Sequence, residues 1–341
     1  MLESPLRARL GFHGQPRANS GGVGVRLRRT VVCLVVAAHV SCACPTAHAD
    51  EGGVSFWLPG NFGSFAATPS DPGWSCPLLL YPSIGHQEAG KQTVLGGRIA
   101  AGMRSSCGLL FLTPTLTFAK PWWGAQASAA LGLGFGYATV EVDVVASPPG
   151  GAGLDVGTSD ERVGITDLNP TLTLKWARGV HNTMLYTMGG QPAGTYDASR
   201  LANLGSGHWS LDAGGGYTFL DPRKGLEASA ALGFTFNGEN SSTDYQSGVS
   251  THLDWAASRV ASERFHIGVV GYVYEQVTPD SGPGATLGDY QSRVLGIGPQ
   301  AGWFPGEWYV NLKGYWEFAA QNRPQGWNLW LTVEPPTMGR R

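Results

Sequence analysis

Charged side chains are scarce in this chain. Asp, Glu, Lys and Arg make up 14% of its 341 residues, against about 25% in ordinary globular domains. The formal net charge is −2, and no basic stripe alternates with aromatic residues, so nothing here has the pattern of a nucleic-acid binder. Cysteine is also sparse, with five in all, and no Cys/His cluster has zinc spacing, so neither a metal site nor a cofactor is expected. Cys33, Cys42 and Cys44 lie near the N-terminus. Cys76 and Cys107 are either a pair formed in an oxidising compartment or two isolated small hydrophobes, and spacing alone decides nothing. After the first 49 residues no apolar run approaches the ~20 residues of a spanning helix, which excludes an α-helical membrane protein. It does not exclude a β-barrel, whose apolar residues are diluted by alternation.

Glycine is in excess, at 50 residues, about twice the usual ~7%. With it come 12 Trp, 11 Tyr and 13 Phe, too many aromatics for a disordered chain. The N-terminus reads as an export signal: Arg26, Arg28 and Arg29, then the apolar run VVCLVVAAHV (31–40), then Ala47-His48-Ala49. This predicts a cleaved signal peptide ending at residue 49. The apolar run is too short to cross ~30 Å of hydrocarbon.

The rest of the chain alternates. In HWSLDAGGGYTF (208–219), Trp209, Leu211, Ala213, Tyr217 and Phe219 oppose Ser210, Asp212 and Thr218. Leu226 to Phe236 opposes Glu227, Ser229 and Thr235. Leu253, Trp255 and Ala257 oppose His252, Asp254 and Ser258. Trp308, Val310, Leu312, Trp316 and Phe318 oppose Asn311, Lys313 and Glu317. A period of two is a β-strand with unlike faces. From Trp308 to Phe318 there are ten steps, roughly 33 Å at ~3.3 Å per step. Tilted by ~40°, such a strand rises about 25 Å, the lipid-facing height of an outer-membrane barrel between its aromatic girdles. The apolar face is therefore expected to meet lipid, and Asp212, Glu227, His252, Asp254, Lys313 and Glu317 to line a wet lumen, where charge costs little.

Connections alternate as well. Short links (119–124, 177–181, 220–225, 259–264, 305–307) take turns with longer ones (147–166, 191–207, 237–248, 278–291, 319–326). Outer-membrane barrels sort their periplasmic turns and outer loops in this way. The expected fold is an all-β, transmembrane antiparallel barrel of about 12 strands, within a range of 10–14. The strands fall near 91–103, 108–118, 124–145, 166–177, 181–191, 208–220, 225–237, 248–258, 265–278, 291–304, 307–318 and 326–334, and 74–84 is a further candidate. The domains are then a signal region (1–49), a Gly/Pro-rich lead-in or plug (50–73), the barrel (74–334) and a C-terminal tail (335–341).

Long stretches carry a resemblance: EGGVSFWLPGNFGSFAA, YDASRLANLGSGHWSLDAGGGYTFLDP, TDYQSGVSTHLDWAAS, VGYVYEQVTPDSG and YVNLKGYWEFAAQNRPQGWNLWLT. Over nearly the whole mature chain the sequence resembles the outer-membrane protein family associated with the meta-cleavage pathway of phenol degradation. The resemblance implies a Gram-negative outer-membrane barrel distantly akin to long-chain fatty-acid channels, which takes up aromatic or other hydrophobic compounds. Its partners would be outer-membrane lipid, a hydrophobic small-molecule solute and the barrel-assembly machinery.

Several constellations need weighing. Ser250, His252 and Asp254 share one strand face, where side chains run parallel, whereas a catalytic triad needs them to converge. Asp212 and Glu227, on adjacent strands, can form an acid–base pair or line the lumen and pair with Lys175, Lys313 or Arg293. Neither set is read as catalytic. The 196–205 stretch holds one short helix candidate, with Asp197 or Ser199 as its cap. Trp57, Phe62, Phe65, Tyr196 and Leu201 are the expected plug or solute contacts. The competing readings are a structural or surface-interaction barrel without transport and a lipid-modifying barrel enzyme.

Overall fold

The computed structural model describes residues 55–87, 92–95, 98–146, 154–285 and 291–339. The signal region lies outside the described residues. Alternation becomes sixteen β-strands in one sheet: β1 (Gly73–Ser75), β2 (Leu78–His86), β3 (Gln92–Leu95), β4 (Arg98–Leu112), β5 (Thr115–Thr117), β6 (Gln126–Ala146), β7 (Leu154–Ile165), β8 (Asn169–Arg178), β9 (His181–Gly190), β10 (Ser210–Asp221), β11 (Leu226–Asn237), β12 (Ser250–Ser262), β13 (Phe265–Gln276), β14 (Arg293–Trp303), β15 (Tyr309–Gln321) and β16 (Gln325–Glu334). The path from β6 runs through β8 to β16, then β2 and β4, and β4 pairs β6 again. Twelve antiparallel strands thus close a barrel. No helix among the described residues is long and apolar enough to cross a membrane; the strands do the crossing.

The faces follow the alternation. Leu312 is 47% exposed, while its neighbours Asn311 and Lys313 are 7% and 3% exposed. Trp209, Phe236, Trp316 and Phe318 form one exposed aromatic rim, and Phe265, Trp303 and Trp308 another. An apolar exterior between two aromatic belts is a lipid-facing surface, and the inward face carries the polar residues.

The wall departs from the sequence reading at its start. Its first strand is β2, the 74–84 candidate, and not 91–103. The expected 91–103 and 108–118 strands merge into β4, which β5 continues along β6; β3 is only a short hairpin partner of β4. LLLYPSI does not alternate, and Pro82 interrupts it. The β2–β16 ladder has no pairing across Tyr81 and Pro82, which suits a residue with no N–H to give.

The expected 147–166 loop is also corrected. Residues 154–165 form β7, which pairs with the far half of β6, while β8 pairs with the near half. One wall strand therefore bends at 166–168. Its far part turns Ser159 and Glu161 outward, polar residues suited to water above a lipid band, and SDER hides the period. Cys76 and Cys107 are both free, the latter buried beside Ser83.

Residues 55–70 run along the inward face of the wall. The amides of Gly60 and Phe62 donate to the two oxygens of Asp254 (3.0 and 2.9 Å). The amide of Phe65 donates to Glu227 Oε1 (3.1 Å), that of Ala67 to Thr218 Oγ1 (3.0 Å), and that of Ser70 to Gln126 Oε1 (2.6 Å). Phe65 adopts a left-handed backbone (φ +64°), a conformation a bulky residue holds only where its surroundings enforce it.

Candidate functional site

The inward residues converge on that N-terminal segment. Lys313 on β15 donates to the carbonyls of Gly60 (2.6 Å) and Asn61 (3.2 Å), and Tyr315 donates to Gly60 O (3.3 Å). Asp254 takes the amides of the same turn, so a carboxylate and an ammonium grip the Gly60 turn by its two kinds of backbone group. Charge-assisted bonds of this kind are the strong ones. Lys175 donates to Thr68 O (3.2 Å). Glu227 accepts from the hydroxyls of Ser64 (2.6 Å) and Ser258 (2.7 Å) and from Ser229.

These contacts correct two expectations. The inward charges are buried instead of standing in open water, Asp254, Glu227 and Lys313 against this backbone and Asp212 and Glu317 against wall side chains; bonded carboxylates tolerate that, bare ones do not. Asp212 and Glu227 are not a pair. Asp212 lies opposite Thr235 in the β10–β11 register and Glu227 opposite Leu220, eight residues away along β10. Nor do they meet the expected cations: Lys175 and Lys313 hold carbonyls of the segment. Asp212 accepts from Thr235 Oγ1 (2.6 Å), and its Oδ2 lies 3.1 Å from His252 Nε2.

His252 also lies 3.2 Å from Tyr186 OH, and the Trp57 ring stacks on its imidazole, with centroids 3.5 Å apart. Space for these rings comes from glycine: a Cβ on Gly233 would stand 2.1 Å from Tyr186 OH and 2.5 Å from His252 Nε2. Ser250 accepts from Tyr274 OH (3.1 Å). Ser250, His252 and Asp254 therefore each serve a different neighbour and do not converge. Glu317 accepts from Tyr272 OH (2.7 Å) and from the amide of Gly326 (3.1 Å). Among the described residues no three His, Cys, Asp or Glu side chains gather to hold a metal ion.

Between the N-terminal segment and the wall lies a cavity of about 260 Å³. Phe56, Trp57 and Phe62 face Phe111, Met188 and Trp330 across it, and Leu204 adds an apolar side chain from the 191–207 loop. Asp167 and Asn169, at the bend between β7 and β8, contribute polar groups. Phe62 also packs edge-on against Tyr186, at 4.9 Å. Phe65, Tyr196 and Leu201 are elsewhere. Phe65 meets His266 and Tyr309. Tyr196 accepts from Asn240 Nδ2 (2.6 Å). Leu201 packs with Met103, Val140 and Val142. The parity of the alternation marked Trp330 as inward although it is apolar, a signal the sequence reading passed over; Tyr186 and Met188 gave no such sign.

The 191–207 loop is tied down at two carboxylates. Asp167 Oδ1 accepts from the Gly194 amide (2.9 Å), and Oδ2 from the amide (2.8 Å) and hydroxyl (2.6 Å) of Ser206. Asp160 on β7, beyond the lipid band, accepts from the Arg200 guanidinium and from the amides of Leu201 and Ala202 (both 2.9 Å). The guanidinium, helped by those amides, holds the Asp160 carboxyl down at about 2. The expected helix over 196–205 does not form. Asp197 Oδ1 accepts from the amide (2.9 Å) and hydroxyl (2.7 Å) of Ser199, and Asn203 brackets Asp197. Side-chain bonds to nearby backbone compete with helix in this way.

These features define a transmembrane β-barrel of the outer-membrane kind, with residues 60–70 hydrogen-bonded to its inward face. A family model described as "Putative MetA-pathway of phenol degradation" matches residues 89–333. The chain belongs to that family. The COG4313 outer membrane channel from Pseudomonas putida F1 is similar in structure (TM-score 0.63, 13% identity, 82% of this chain and 98% of that one), which shows the fold. Two other barrels share less. The FadL homologue of Pseudomonas aeruginosa gives a TM-score of 0.42 at 9% identity, over 85% of this chain and 98% of that one. The translocator domain of the autotransporter NalP from Neisseria meningitidis gives 0.44 at 10%, over 78% and 88%. At those scores they carry no argument. No curated protein matches the chain.

Proposed function

We propose that this protein is an outer-membrane channel for passive uptake of small hydrophobic, including aromatic, compounds. The observation that carries the reading is the cavity: an apolar space inside a polar-lined barrel wall, closed on one side by residues 55–62. Ligand sites combine apolar lining with a few placed polar groups in this way. In this reading residues 50–73 restrict the lumen, the 191–207 loop covers the outer mouth, and the chain reaches the membrane through a signal peptide cleaved before Asp50 and the barrel-assembly machinery. Outer-membrane lipid then surrounds the Trp308–Phe318 face.

The test is uptake of a radiolabelled single-ring compound by Gram-negative cells expressing the full chain or a chain lacking residues 50–73. Faster uptake by the truncated barrel supports the reading. Identical uptake removes the restricting role of the segment, and no uptake above that of control cells by either chain removes the channel. The dense packing of the inward face favours a second reading, a structural or surface-interaction barrel, and that last outcome would select it.

A further inference from the structure

The cavity beside Trp57 has a chemical bias of its own. Its volume, about 260 Å³, exceeds the ~150 Å³ of an engineered cavity that holds one benzene, so it has room for a single ring with a short substituent. Asp167 is the one carboxylate among the lining residues, which include no Lys, Arg or His, and its oxygens are already engaged by Gly194 and Ser206. Lys313 stands 4.7 Å from the Trp330 ring but gives its protons to Gly60 and Asn61, and Lys175, two residues along β8 from the lining Thr173, donates to Thr68 O. The indole Nε1–H of Trp57, a ring 1% exposed, is buried without a hydrogen-bond partner. That nitrogen is closed to the cavity as well as to solvent, so the lining offers neutral hydroxyl and amide groups such as those of Thr171 and Asn169, and nothing to neutralise an anion. A carboxylate moved there would lose its hydration with no cation in exchange and would sit among groups that include an aspartate.

We infer that this cavity binds neutral single-ring compounds and rejects the corresponding carboxylates. The inference rests on the channel reading and adds a charge rule to it.

The test is isothermal titration of the full chain, held in amphipol at pH 8, with benzyl alcohol and benzoate. Benzyl alcohol is expected to bind at one site, at least tenfold more tightly than benzoate. Thr171→Lys puts an ammonium among the lining residues and should raise benzoate binding. Met188→Trp fills the space and should abolish binding, with the compact band on an unheated gel showing that the barrel is folded. Benzoate binding within threefold of benzyl alcohol overturns the inference, as does binding that survives Met188→Trp. Uptake of benzyl alcohol by cells without binding at this site overturns the inference and leaves the channel reading intact. Binding without uptake supports the charge rule and overturns the channel.

Discussion

Replacing Asp254 with alanine should loosen the N-terminal segment from the wall. The carboxylate accepts the amides of Gly60 and Phe62 at 3.0 and 2.9 Å. A hydrogen bond to a charged group contributes about 1.5–3 kcal/mol. If water compensates for half of the two-bond total, the docked state loses about 1.5–3 kcal/mol, or roughly 10- to 100-fold in population at 1.4 kcal/mol per decade. The assay is conductance of the purified barrel in planar bilayers. Asp254→Ala should spend at least tenfold more time in a high-conductance state than the unaltered chain. A second change makes the test specific. Ser64 Oγ and Ser258 Oγ are 3.1 Å apart, close enough for Ser64→Cys and Ser258→Cys to form a disulfide. In the Asp254→Ala background, oxidation should close the conductance and a reductant should reopen it. Conductance at the unaltered level in Asp254→Ala, or a rise that the disulfide leaves untouched, would refute the reasoning.

Two further outcomes are expected. Asp160→Ala should raise amide hydrogen exchange across 199–206 at least tenfold, after correction for intrinsic rates, because Leu201 and Ala202 lose the oxygen they share. In the unaltered chain Asp160 is depressed in the folded state to about 2, so its contribution is fully present above the ordinary carboxylate range and fades as pH falls toward 2; protection should persist from pH 7 to about pH 4 and decline below it. Leu312→Arg, on the lipid face, should cost about 2–4 kcal/mol of stability if the site is near the bilayer midplane, read by denaturant unfolding of the barrel in lipid vesicles; an effect under ~0.5 kcal/mol would place that face away from lipid.

The sequence made the barrel legible wherever a strand crosses lipid, since lipid on one side and a polar interior on the other force a period of two. The strands from β8 to β16 fall close to the expected bounds for that reason. Legibility failed where one of the two solvents changes: at β7, whose upper part leaves the lipid, and at β2, where three leucines and a proline interrupt the period. The candidate site was legible only by face. Parity put Asp254 and Lys313 inside, but parity along one strand says nothing about what approaches from the middle of the barrel. That Gly60, Asn61 and Phe62 supply the partners is a long-range fact, as is the stacking of Trp57 on His252. The 196–205 stretch forms turns and not a helix because Asp197 and Ser199, good caps, are equally good turn residues.

The central claim is that one alternating register puts greasy side chains in lipid and polar ones inside. The most direct measurement is nitroxide scanning through residues 308–318 in lipid bilayers, reading collisions with oxygen and with a water-soluble nickel complex. The account predicts high oxygen access at Val310, Leu312 and Trp316 and low access at Asn311, Lys313 and Tyr315. The opposite phase, or equal access along the strand, would contradict it.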